Sequence, residues 1–388
     1  MKSSIKALAI AFGAWLMISN CFLVVAGGGY NYTEALTKSL LFLEAQRSGK
    51  LPPNSRIPWR AVEYDIIWTT IFGIGTCSCI ENVVDLVGGY YDAGDNVKYG
   101  LPMAFTITTL AWSALAYKSE LEATGELKNV HAAIRWGTDY FLKASSKRNK
   151  LWVQVGDPNA DHACWLRPEN MKTPRTLYKI DENDPGTEIA AETAAAMAAS
   201  SIVFRGTDRK YARSLLNKAK LDELLWAASW LYMATKRDVY RNYITGEAIT
   251  ASVAEFSWDL KYAGAQVLLS DVSILNLNSS MDYLLGSNPR GRSYMVGFGK
   301  NSPTQAHHRG ASVPVLSPQA EVDCGMSFVK WYQKNQPNPN ELTGAIVGGP
   351  DRYDNFEDLR SDSSKLEPCT YINSLAVGPL AKLAVHGA

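Results

Sequence analysis

Apolar residues recur along this chain at the spacing of one helical face. Leu36, Leu40 and Leu43 return every three or four positions behind Thr33, a candidate N-cap, and Gly49 marks the stop. The stretch from Leu101 to Lys118 puts Ala104, Ile107, Ala111 and Leu115 on one face. The stretch from His131 to Ala144 does the same with Ile134, Gly137 and Phe141. Glu188 to Phe204 is alanine-rich, a strong helix former whose small side chains permit close packing. Residues 208–220, 221–235 and 251–270 continue the helical pattern. Segment 61–82, rich in Ile, Thr, Trp and Cys, is strand-prone and apolar, and has no functional account. Long connections span 145–187 and 286–340. No alternation of strand and helix and no glycine-rich phosphate loop is present, so the pattern predicts an all-α single domain with its functional residues on loops at one end of the helices.

Composition narrows the function. The 388 residues carry a net charge of +1 with 46% hydrophobic content, which argues against nucleic acid or an anionic membrane as partner. At the N-terminus, Lys2 and Lys6 precede an apolar run from Ala7 to Val25, and Val24-Val25-Ala26-Gly27 offers a cleavage site. A signal peptide over 1–26, a mature domain over 27–388 and no membrane association after cleavage are expected; the alternative is an anchor of about 20 residues. Cleavage leaves Cys77, Cys79, Cys164, Cys324 and Cys369, enough for at most two bridges and not a disulfide scaffold. Asn31 and Asn278 are glycosylation acceptors if the chain is exported.

The candidate chemistry centres on Val84-Asp85-Leu86-Val87-Gly88-Gly89-Tyr90-Tyr91-Asp92-Ala93-Gly94-Asp95-Asn96. Asp92 and Asp95, separated by two small residues, fit a turn, a calcium loop or a carboxyl pair with spread pKa values that activates water. Alone, Glu367 before Pro368 is a surface carboxylate, and the pair His307-His308 fits a structural role, a metal site or ligand binding. No third ligand lies at helical spacing near the pair, so no metal is expected.

The aspartate stretch resembles the catalytic-base loop of glycoside hydrolase family 9, specifically the plant endo-β-1,4-glucanases. The resemblance continues in Lys98-Tyr99-Gly100-Leu101-Pro102, Asp161-His162-Ala163-Cys164-Trp165-Leu166-Arg167-Pro168-Glu169, His307-His308-Arg309-Gly310 and Val347-Gly348-Gly349-Pro350-Asp351. It implies an (α/α)6 barrel of twelve helices and inverting hydrolysis of a β-1,4-glucan by a monomer without a cofactor. The implied roles are Asp95 as base, Asp92 holding the water and Glu367 as acid, with the carboxyl groups roughly 6.5–9.5 Å apart. Asp358 is implied as the acid's negative neighbour or the partner of His307. His307 and Arg309 are implied to contact sugar hydroxyls, and Asp161, His162, Trp165, Trp258 and Tyr371 to line subsites, although Trp258 also fits a helix core. Asp181, Glu182, Asp184 and Glu188 are expected only to cap or to be solvated.

The chain departs from the family in segment 61–82, polar and glycine-rich in relatives, and in three further places. Lys220 runs straight into Leu221, and Ser270 reaches Met281 through ten residues, where relatives carry more chain; Ser363 replaces an aromatic before Glu367. An incomplete barrel of eight or nine helices is therefore expected, uncovering apolar faces at about 1.5–3 kcal/mol for each large side chain. The alternative to a working enzyme is a glucan-binding relative that does not cut, or a product that does not fold.

Overall fold

The computed structural model describes residues 29–61, 84–219, 225–246, 265, 268, 277–317 and 319–387. The expected signal peptide, all but the first residue of segment 61–82, Trp258 and most of 251–270 lie outside them. Helix α1 (Tyr32–Ala45) is capped by Asn31, whose side chain accepts from the Glu34 N–H, two residues earlier than Thr33. Strand β1 (Lys98–Tyr99) runs straight into α2 (Gly100–Ala116), followed by α3 (Lys118–Ala123) and α4 (Leu127–Ala144). Then come β2 (Lys150–Val155), the short α5 (Pro158–His162) and β3 (Leu177–Asp181). The three strands form one antiparallel sheet in the order β1-β2-β3, which the helical periodicity did not predict.

Helices α6 (Thr187–Phe204), α7 (Arg209–Ala219), α8 (Leu225–Thr235), α9 (Asp238–Gly246) and α10 (Leu277–Leu285) follow. The C-terminal half adds α11 (Arg309–Ser312), α12 (Cys324–Ser327) with a π-turn over Phe328–Tyr332, α13 (Ser363–Leu366) and α14 (Thr370–His386). Helix α6 is buried almost all round, from Ala190 to Ser201, because it packs against α2, α7 and α8. Alanine is what such an inner helix requires. Gly137 serves the same end on α4: a Cβ there would lie 2.4 Å from Ile107 Cδ1 on α2.

The main core joins α1, α2, α4, α6, α8 and α14. A second cluster, including Phe42, Tyr294, Ala306, Leu342 and Leu366, lies beside it. Ala306 and Leu366 immediately precede His307 and Glu367, so burial of the apolar neighbour anchors each functional residue. Asn373 on α14 ties the parts together: its amide donates to Ser39 Oγ (3.0 Å) and Gly344 O (2.8 Å), and its Oδ1 accepts from Ile346 N (3.0 Å). All of this is buried. Asn373→Ala leaves these groups without partners, and a loss of about 2–4 kcal/mol in urea unfolding is expected.

Candidate active site

The loop from Tyr91 to Val97 is held from three sides. Tyr91 N donates to Gln46 O at the end of α1 (2.9 Å), and Thr370 N, the first residue of α14, donates to Asp92 O (3.0 Å). Arg309 donates to Gly94 O through its backbone N–H (3.0 Å) and its guanidinium (3.2 Å). Gly94 N in turn donates to Glu367 Oε1 at 3.0 Å, which joins residues 273 positions apart. Only glycine fits at 94: a Cβ would stand 2.1 Å from His307 O and 3.1 Å from Glu367 Oε1. The structure thus brings Asp92, Asp95, His307 and Glu367 together.

Asp95 is buried and accepts from His162 Nε2 at 3.2 Å and more weakly from Val97 N at 3.4 Å. Asp92 Oδ1 is buried and meets no donor among the described residues. Burial, then the charges of Asp95 and Glu367, push the Asp92 carboxyl up to about 8. Glu367 is also raised, by burial and by Asp95, against the lowering effect of the Gly94 N–H and Arg309. The neighbouring negative charges disfavour ionisation of both Asp92 and Glu367. His162, exposed at the rim, is raised by its bond to Asp95. A cavity of about 420 Å³ opens beside Asp92 and is lined by Tyr99, Leu101, Gln154, Ile189 and Tyr371.

The two histidines divide their labour. His308 is buried; its Nδ1 accepts from Ala311 N (3.0 Å) and its Nε2 donates to Gln46 Oε1 (2.7 Å). Gln46 Nε2 passes the chain on to Ala93 O (2.7 Å). With both ring nitrogens used, and burial pushing it down to about 3, His308 is a structural brace. His307 faces the site, and burial pushes it down to about 4.

Three of the residues expected to meet sugar are buried. Asp161, 2% exposed, accepts from Asn96 N (3.3 Å) and pairs with Arg309 (3.5 Å). Arg309, 4% exposed, also donates to Cys164 O (3.3 Å). Trp165, 2% exposed, donates to Ser312 Oγ (2.7 Å) and stacks edge-on to His307 (4.9 Å). Burial and these bonds make the three supports of the loop. Asp358 does not touch His307: its carboxylate accepts from Thr304 N and Oγ1 (2.8 Å each) and Gln305 N (3.0 Å), fixing the approach to His307. Tyr371 and His162 remain at the accessible side. Cys164 is bridged to Cys324, and Cys369 is a buried free thiol. Asp181, expected to cap a helix or to be solvated, instead ends β3, accepts from Asn183 N in the turn and pairs with Lys179.

Sequence reasoning missed Tyr99 and Gln46 as site residues. Tyr99 lay within a motif already singled out, next to the aspartates whose charges, after burial, raise its phenol well above its ordinary range. Gln46 carried no local signal. Among the described residues Asp95, Asp161 and His162 are close enough to share an ion, but Arg309 already neutralises Asp161 and no second observation points to a cation.

The raised Asp92 carboxyl has a consequence for stability. The folded chain keeps a proton that the unfolded chain releases above its ordinary value of 3.8. This contribution is full below that pH and is lost as pH rises toward 8. Asp92→Asn cannot ionise. Its melting temperature, followed by circular dichroism, is expected to match wild type near pH 4 and to exceed it progressively up to pH 8.

The sequence pattern of Glycosyl hydrolase family 9 matches residues 32–221, 220–280 and 276–380. Its breaks fall near the two shortened places noted above. Endoglucanase 8 of Oryza sativa subsp. japonica is 52% identical over 477 aligned residues, covering 94% of this chain and 92% of that one. Endoglucanase 16 of Arabidopsis thaliana is 52% identical over 468, covering 93% and 94%. An alignment of 477 positions against a chain of 388 residues means that the rice relative carries segments absent here. The endoglucanase of the termite Nasutitermes takasagoensis superposes with a TM-score of 0.78 at 33% identity, covering 92% of this chain and 100% of that one. The cellulase Cel9M of C. cellulolyticum, solved with cellobiose, gives 0.78 at 26%, covering 93% and 100%. By helical fold and by sequence, this chain is a member of glycosyl hydrolase family 9, with that family's (α/α)6 architecture.

Proposed function

We propose that this chain is a secreted endo-β-1,4-glucanase that hydrolyses internal bonds of cellulose or a related β-glucan with inversion and without a cofactor. The observation that carries the proposal is the hydrogen bond from Gly94 N to Glu367 Oε1, which sets the aspartate loop and the glutamate at one site. Glu367, raised in pKa, is the proton donor to the leaving oxygen. Asp95 is the base that takes a proton from water. Asp92, with its unmatched Oδ1, accepts from that water and orients it. His162 and Tyr371 border the substrate, and His307 offers a ring nitrogen to a hydroxyl. The relatives named as endoglucanases and the cellobiose bound by Cel9M support the class of substrate.

The purified chain is expected to release reducing ends from carboxymethylcellulose, with the α-anomer appearing first by NMR. Asp95→Asn and Glu367→Gln should each lower kcat by about 10²–10⁴. Activity that survives both substitutions removes the role assignment. A second reading, a relative that binds glucan without cutting it, draws on the segments absent relative to the rice protein. Retention on cellulose without turnover by wild type would select it.

The proposed domain runs over 27–388 after removal of 1–26, acting as a monomer in the cell wall. Among the described residues no helix is long and apolar enough to cross a membrane. Asn31, exposed ahead of α1, and Asn278, on α10, are the proposed glycan acceptors. Material recovered from plant culture medium should begin near Gly27 by N-terminal sequencing and gain mobility with peptide-N-glycosidase. Retention of Met1 in membrane pellets would overturn the secreted assignment.

A further inference from the structure

Arg360 is 3% exposed, and its guanidinium is caged entirely by neutral oxygens. One terminal nitrogen donates to Trp331 O (2.8 Å), Tyr332 O (3.2 Å) and Lys334 O (2.7 Å). The other donates to Gln336 O (2.8 Å) and Asn338 Oδ1 (2.6 Å), and Nε to the same Asn338 oxygen (2.9 Å). These carbonyls belong to the C-terminal end of the π-turn and the loop after it, where backbone acceptors have no helical partner. A planar fork of five N–H donors fits such a cage, and an ammonium does not.

The same residue reaches His307 by its backbone. His307 Nδ1 lies 2.8 Å from Arg360 O. A carbonyl only accepts, so Nδ1 carries the proton and, in the neutral ring, Nε2 is a bare acceptor. The loop caged by Arg360 also bears Tyr332, whose ring stands 5.8 Å from His307 and 4.8 Å from Trp165. Asn338 closes the circuit by donating to Ala306 O (3.0 Å), immediately before His307.

We propose that Arg360 is a positioning residue for this site. Its side chain fixes the 331–338 loop and, through its own carbonyl, locks the tautomer and orientation of His307, so that Nε2 is presented to a hydroxyl of the bound ligand. The identity of that ligand as a glucan rests on the function proposed above; the lock itself does not. Nothing in the motif around Glu367 marked Arg360 for this role, because its carbonyl and its side chain act on segments remote in sequence.

The test compares wild type, Arg360→Ala, Arg360→Lys and Arg360→Gln in the full chain. With Arg360→Ala, KM for a soluble cello-oligosaccharide is expected to rise about tenfold while kcat changes less than about threefold. Millimolar guanidinium chloride should restore KM to within about threefold of wild type, and sodium chloride at equal ionic strength should not. Arg360→Lys should behave like Arg360→Ala before rescue, since it lacks the planar fork. Two readouts need no turnover. Guanidinium should raise the melting temperature of Arg360→Ala but not of wild type. Spectra of [15N]histidine-labelled protein should show His307 as the Nδ1–H tautomer in wild type and a tautomer mixture in the variant. If Arg360→Ala does not fold, Arg360→Gln, which keeps part of the stem, carries the KM and tautomer comparison. Unchanged KM with an unchanged tautomer, or guanidinium acting no better than sodium, overturns the lock. Inactive wild type with the melting and tautomer effects intact overturns the glucanase reading and leaves the lock standing.

Discussion

One hydrogen bond holds the rest in relation: the Gly94 N–H to the Glu367 carboxylate. It forms because position 94 has no side chain, so the loop backbone can close against His307 O and Glu367 Oε1. The bond opposes the rise in the Glu367 pKa that burial and Asp95 produce. The same contact that brings the carboxyl groups together therefore limits how far they perturb one another. The helices beneath exist, from the site's point of view, to bring the end of α1, the start of α14 and the 307–309 turn to this one place.

Around that contact the buried polar residues act as braces. Gln46 and His308 pass hydrogen bonds from the end of α1 to Ala93 O. Asp161 and Arg309 form a sealed pair that grips Asn96 and Gly94. Arg60 and Arg167 enclose Glu169 nearby; burial raises that carboxyl, but the two guanidiniums outweigh it and hold it at about 2. Removing one member of such a set strands the others, which is costlier than any single bond. The accessible groups, His162, Tyr371 and the free side of His307, are few by comparison.

Much of this was legible in the sequence, for identifiable reasons. Helical spacing located α1, α2 and α4 because each sets apolar residues on a buried face, and alanine content located α6, which is buried almost all round. The motifs located the site's members because their residue types are specific. Neither could say on which side of the backbone a motif residue points. Trp165, Asp161 and Arg309 stand in the right loops yet face inward, a result decided by packing against segments more than a hundred residues away. The sheet escaped notice because β1 is two residues long and β2 contains an irregularity between Trp152 and Gln154. The cap of α1 went to Asn31 over Thr33, two residues on, because the helix begins at Tyr32 and only the Asn31 side chain precedes it to accept from Glu34 N.

The Cys164–Cys324 bridge bears on the missing segments. Its two half-cystines are 160 positions apart, and both places where this chain is shorter than its family fall between them. Pinning the ends of an interval makes its conformational entropy depend only on the logarithm of its length, about 0.6 kcal/mol for each doubling. Excision of residues inside such a tether barely alters the entropy of closing it. The tether itself keeps both long connections, which carry Cys164 and Cys324, joined whatever length of chain lies between them.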